Sequence, residues 1–171
     1  METSEAITVG VVAERRTLDS PWADHDWRPT AVLASAPDLD PGSVIAEEPG
    51  RTRYYLGPVE LRLHRRETDS YRHNLASGNP RIYVALRQDD GPAGLPVRAF
   101  LVSAAPDEGQ SWAEAGDDIV DGVPMPDAVA RWVADFVRRF HVEQPRYKRQ
   151  RVPAAAGRAA PPGPGRAGPR R

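Results

Sequence analysis

The chain has no cysteine among its 171 residues, which excludes disulfides, thiolate metal sites and cysteine nucleophiles and accords with a reducing compartment. It has no apolar run near the roughly 18–20 residues needed to cross a bilayer as a helix. The opening METSEAITVG has neither the basic start nor the apolar stretch of a secretory signal, so the expected location is cytoplasmic. Glycine-rich phosphate loops are missing too: neither G-x-G-x-x-G nor G-x-x-x-x-G-K-[ST] occurs. There is no G-x-S-x-G nucleophile elbow and no H-E-x-x-H. None of the four histidines (His25, His64, His73, His141) stands four residues from another, the helical spacing of a metal pair. No catalytic residue, no metal site and no cofactor is therefore expected.

What is present is an uneven distribution of charge. The formal net charge is −1, yet eight Lys or Arg and no acid lie between Arg146 and Arg171. Residues 1–145 hold fifteen basic and 24 acidic side chains, a net of −9. From Pro153 onward only Pro, Gly, Ala and Arg occur, a composition with no large apolar side chain to offset the entropy of ordering. The expected organisation is one globular domain over 6–145 and a disordered basic tail over 146–171.

Within the body, alternating apolar residues mark strands. Ile7, Val9 and Val11 form one face of the first, and TAVLAS (30–35) follows Pro29 as a second. RTRYYLG reads as a third, with Gly57-Pro58 turning into a fourth, VELRLHRR. RIYVALR alternates Ile82, Val84 and Leu86, and VRAFLVSA, apolar on both sides, reads as a strand covered on both faces. ETDSYRHNLASGNP reads as a short helix capped by Thr68 or Asp69 and ended by Gly78 and Pro80. Over 126–141, Val129, Trp132, Val133, Phe136, Val137 and Phe140 trace one helical stripe, with Pro126 and Asp127 at its start and Arg138 and Arg139 near its end. The expected fold is α+β: a strongly curved antiparallel sheet or small open β-barrel with one short helix and one C-terminal amphipathic helix closing one side.

The candidate functional residues are few. In SPWADHDWRP, Trp22 and Trp27 read as packing anchors, because Asp24, His25 and Asp26 on an extended chain point alternately and cannot converge on one atom. The acid pairs Asp107–Glu108 and Asp117–Asp118 read as solvated loop residues. The basic cluster Arg146, Lys148, Arg149 and Arg151, with Tyr147 among them, is the place where charge is most concentrated. It fits an acidic protein partner better than nucleic acid, because the acidic body repels phosphates that the tail attracts.

SPWADHDWRPTAVL, LRLHRRETDSYRHNL, RIYVALR and VPMPDAVARWVADFVRRFHVEQPRYKRQR together resemble an uncharacterised proteobacterial domain family. Its members share an S-P-W…W-x-P start, an ETxxYxxNL segment, a Y-V-x-L-R strand and a basic K-R-x-R end, over roughly residues 6–151 here. The resemblance implies genes beside those of molybdenum-dependent formate dehydrogenases, and a label of molybdopterin-guanine dinucleotide biosynthesis for some members. It brings no catalytic residues. The expectation drawn from it is a non-catalytic accessory factor for assembly or maturation of a molybdenum-dependent formate dehydrogenase, with a component of that enzyme as the acidic partner. The alternative is an enzyme of molybdenum cofactor biosynthesis, transferring a nucleotide to molybdopterin. Against the alternative, ITVGVVAERRTL carries one glycine and no nucleotide loop. Oligomeric state is left open by the sequence.

Overall fold

A computed structural model describes residues 3–142; the basic cluster Arg146, Lys148, Arg149 and Arg151 and the rest of the tail lie outside the described residues. The element order is β1 (Ser4–Thr17), β2 (His25–Leu33), β3 (Val44–Glu48), β4 (Arg51–His64), α1 (Thr68–Ala76), β5 (Arg81–Arg87), β6 (Arg98–Ser103), α2 (Pro106–Ala115), β7 (Ile119–Pro124) and α3 (Asp127–Phe140). The class is α+β, as expected.

The strands form two antiparallel sheets, not the one strongly curved sheet or small open barrel expected, and α2 is a helix beyond the expected short helix and C-terminal helix. One has four strands in the order β2-β1-β4-β3, the other three in the order β6-β5-β7. β2 packs beside β7 and β4 beside β6, but no ladder joins the sheets. The core lies where Val9, Val11 and Ala13 of β1, Leu61 and Leu63 of β4, and Ile82, Val84 and Leu86 of β5 are buried together. These are the alternating apolar positions of the sequence, placed on one face by the two-residue period of a strand.

Three expectations are corrected. Gly57-Pro58 is not a turn: β4 runs unbroken past it, paired to β1 from Arg51↔Arg16 to His64↔Ser4. Gly57 adopts φ +118, open to glycine at little steric cost, where the register slips by one residue opposite Val11 and Val12. A bulge can carry the sequence signature of a turn because both need the same backbone freedom. VRAFLVSA is not covered on both faces: β6 is an edge strand and Leu101 on it is exposed, while the central strand of that sheet is β5. Asp107 and Glu108 do not sit in a loop but in the first turn of α2, where carboxylates complement the helix dipole. Pro106 at its start and left-handed Gly116 at its end were the available signals. They are obscured by Gly109 in mid-helix, which is needed because a Cβ there would collide with the Tyr83 ring.

α1 and α3 pack on each other. Val129, Val133 and Phe136 of α3 are buried, and Phe136 meets Tyr71 of α1 edge-on at 6.3 Å and Phe140 at 4.8 Å. Trp132, on the same stripe, is only partly buried. The C-terminal end of α3 is tied to β1 by Arg139, which donates to both carboxylate oxygens of Glu5 at 2.6 and 2.9 Å. That hydrogen-bonded pair holds the Glu5 carboxyl below its ordinary range, and Trp132 adds a second donor. Arg139 and Arg138 also hold Asp135 one turn earlier.

Candidate partner-binding surface

Thr68, Tyr71 and Asn74 of the segment ETDSYRHNL are engaged in holding the fold. Asn74 is buried and acts as a strut between α1, β5 and β6. Its amide nitrogen donates to the carbonyls of Arg81 at 2.6 Å and Ala104 at 2.9 Å, and its Oδ1 accepts from the Arg81 N–H at 2.9 Å. The Tyr71 hydroxyl accepts from the His64 N–H at 3.0 Å, and burial pushes its pKa up to about 12. Thr68 is the first helical residue, not the cap; its hydroxyl donates to the Arg65 carbonyl and lies 3.1 Å from His141 Nδ1, linking α1 to the end of α3. In RIYVALR, Arg87 makes two hydrogen bonds to Asp118, at 3.2 and 3.4 Å, and stacks 3.5 Å from the Phe100 ring centroid. Asp118 is thus a structural partner rather than a solvated acid.

The tryptophan segment divides. Trp27 is 8 % exposed, with its ring 5.4 Å from Tyr54, and is the anchor expected of it. Trp22 is 94 % exposed and anchors nothing in the described fold. Asp24, His25 and Asp26 do not converge; Asp26 pairs with Arg16 at 3.4 Å. His73 lies 3.5 Å from Asp69, one helical turn away, on a solvent face.

The strongest feature is on the face of the four-stranded sheet turned away from the core. The residues of β1 that alternate with Val9, Val11 and Ala13 are Gly10, Val12, Glu14 and Arg16. Glu14 is almost fully buried, its side chain 2 % exposed. It is flanked in register by Arg28 of β2 on one side and Arg53 of β4 on the other. Arg28 Nη2 donates to one carboxylate oxygen and Arg53 Nε to the other, each at 3.3 Å. A buried carboxylate is tolerable only when such partners compensate its lost hydration. Both arginine side chains remain about half exposed.

Beside this triad lies an open groove of about 350 Å³. Val12 of β1 and Thr30, Ala31 and Leu33 of β2 line one part; Ile45 and Ala46 of β3 and Arg53 of β4 line the other. The register between β3 and β4 slips between Val44 and Ala46, and this bulge lets the consecutive residues Ile45 and Ala46 both border the groove. Beyond it the sheet is covered by the segment after β2: a Cβ on Gly10 would lie 2.9 Å from Tyr55 and 3.3 Å from Pro37. Val44 and Ile45 are 53 % and 42 % exposed, and Leu39 also stands in solvent. The surface thus combines exposed aliphatic side chains with paired arginines. Sequence reasoning missed it because Glu14, Arg28 and Arg53 meet only through the strand order β2-β1-β4, which no local pattern encodes.

Among the described residues, no group of three His, Cys, Asp or Glu is placed to hold a metal ion, and no helix is long and apolar enough to cross a membrane. No curated protein and no solved structure matches the chain significantly. A family model described as "Protein of unknown function (DUF3305)" matches residues 8–151, and the chain belongs to that family.

Proposed function

We propose that this protein is a non-catalytic accessory factor that assists assembly or maturation of a molybdenum-dependent formate dehydrogenase by holding an acidic protein partner. The observation that carries the reading is the division of labour among polar side chains. Asn74, Tyr71, Thr68 and Arg87, in the segments most characteristic of the chain, serve the fold. The arginines and aliphatic residues that face solvent form a surface suited to contact rather than to proton transfer or nucleophilic attack. Arg146, Lys148, Arg149 and Arg151 add electrostatic attraction to the same partner, effective within about 8 Å at physiological salt. The identity of the enzyme served rests on the family resemblance carried by SPWADHDWRPTAVL, ETDSYRHNL and RIYVALR.

The experiment is deletion of the gene. Formate dehydrogenase activity should fall while other molybdenum enzymes in the same cells keep theirs. Unchanged formate dehydrogenase activity contradicts the reading, and an equal loss in all molybdenum enzymes assigns the protein to cofactor synthesis instead.

A further inference from the structure

We infer that the groove beside Glu14 is the docking site for an acidic segment of a partner protein, one that carries an apolar side chain close to its carboxylate. The inference rests on the accessory reading above and gives it a place on the molecule. Arg28 and Arg53 approach Glu14 from opposite strands, and each gives it one N–H. A guanidinium has five such donors, so both retain donors for a second acceptor. Two arginines against one buried carboxylate leave one positive charge at the end of the groove. Because Glu14 fixes both, less side-chain freedom is lost when they bind an incoming carboxylate. A neutral apolar ligand would leave that charge unmatched.

The rest of the groove selects the second element. Above the buried Val12, the side chains of Ala31, Leu33, Ile45 and Ala46 offer an aliphatic surface whose cover is worth having only for an apolar side chain. Nucleic acid fits less well. The groove presents no aromatic ring on which a base would stack.

The test uses the full-length chain and a fluorescein-labelled eight-residue peptide containing leucines and glutamates, followed by anisotropy. Two peptides of the same length serve as comparisons, one with serine for leucine and one with lysine for glutamate. The wild type should bind the Leu/Glu peptide at least about tenfold more tightly than either. Ile45→Asp, at an exposed position, should abolish that preference without lowering the melting temperature. A Glu14→Gln, Arg28→Gln, Arg53→Gln triple variant, which leaves no buried charge unpaired, should abolish it as well. Equal binding of the three peptides, equal binding by wild type and Ile45→Asp, or tighter binding of a thymidine oligonucleotide than of the Leu/Glu peptide overturns the assignment. So does a concentration-dependent dimer of the chain alone that Ile45→Asp dissociates, since the occupant is then a second copy. The peptide assay involves no dehydrogenase: failure there with a positive gene deletion removes the groove alone, and the converse removes the accessory reading alone.

Discussion

Asn74→Asp is expected to destabilise the protein by about 4 kcal/mol, because it strands one buried and one partly buried carbonyl at roughly 1–3 kcal/mol each and sets a carboxylate against them. The substitution changes shape hardly at all, which isolates the hydrogen bonds as the cause. The carboxylate can still accept from the Arg81 N–H, but nothing replaces the amide donors that reach Arg81 O and Ala104 O. Those two carbonyls sit at the start of β5 and just past the end of β6, so the loss loosens α1 from the three-stranded sheet. Asn74→Ala removes all three bonds and leaves a small void, and should cost a similar amount. Urea unfolding, with the midpoint shifted and the slope unchanged, is the measurement. A cost below about 1 kcal/mol for both variants would mean that water replaces the side chain and that Asn74 is not a strut.

Phe136→Ala should cost about 3–5 kcal/mol, the range for truncating a buried aromatic and leaving its cavity. Phe136 is fully buried and touches aromatic rings on both sides, Tyr71 on α1 and Phe140 on its own helix, so neither neighbour can collapse into the space without losing its own contact. Trp132→Ala, one turn away on the same stripe, should cost less although tryptophan is larger, because Trp132 is only partly buried. Equilibrium unfolding of the two variants gives the order directly. If Trp132→Ala proves the more damaging, α3 is rotated from the orientation described.

That pair also shows what could be read from the sequence and what could not. Helical spacing placed Val129, Trp132, Val133 and Phe136 on one stripe, and they are there. Spacing fixes a direction on the helix but not the depth of its neighbour, so it could not rank Trp132 against Phe136. Strand periodicity likewise found β1, β5 and the second half of β4, whose apolar residues alternate, and it missed β3, whose five residues are all exposed. That 51–64 is one long strand was out of reach because Gly57 carries the same signal whether the chain turns or bulges. The alternation of Asp24, His25 and Asp26 along an extended chain is local and could be read directly. Glu14, Arg28 and Arg53 are fourteen and 25 residues apart along the chain, and only strand order joins them.

The claim that this protein acts by holding an acidic partner is tested most directly by measuring association of the purified full chain with the components of the formate dehydrogenase at low and high salt. The account predicts binding that weakens as salt rises and that falls when Arg146, Lys148, Arg149 and Arg151 are all replaced by serine. Absence of binding at low salt, or binding indifferent both to salt and to the four replacements, would contradict it.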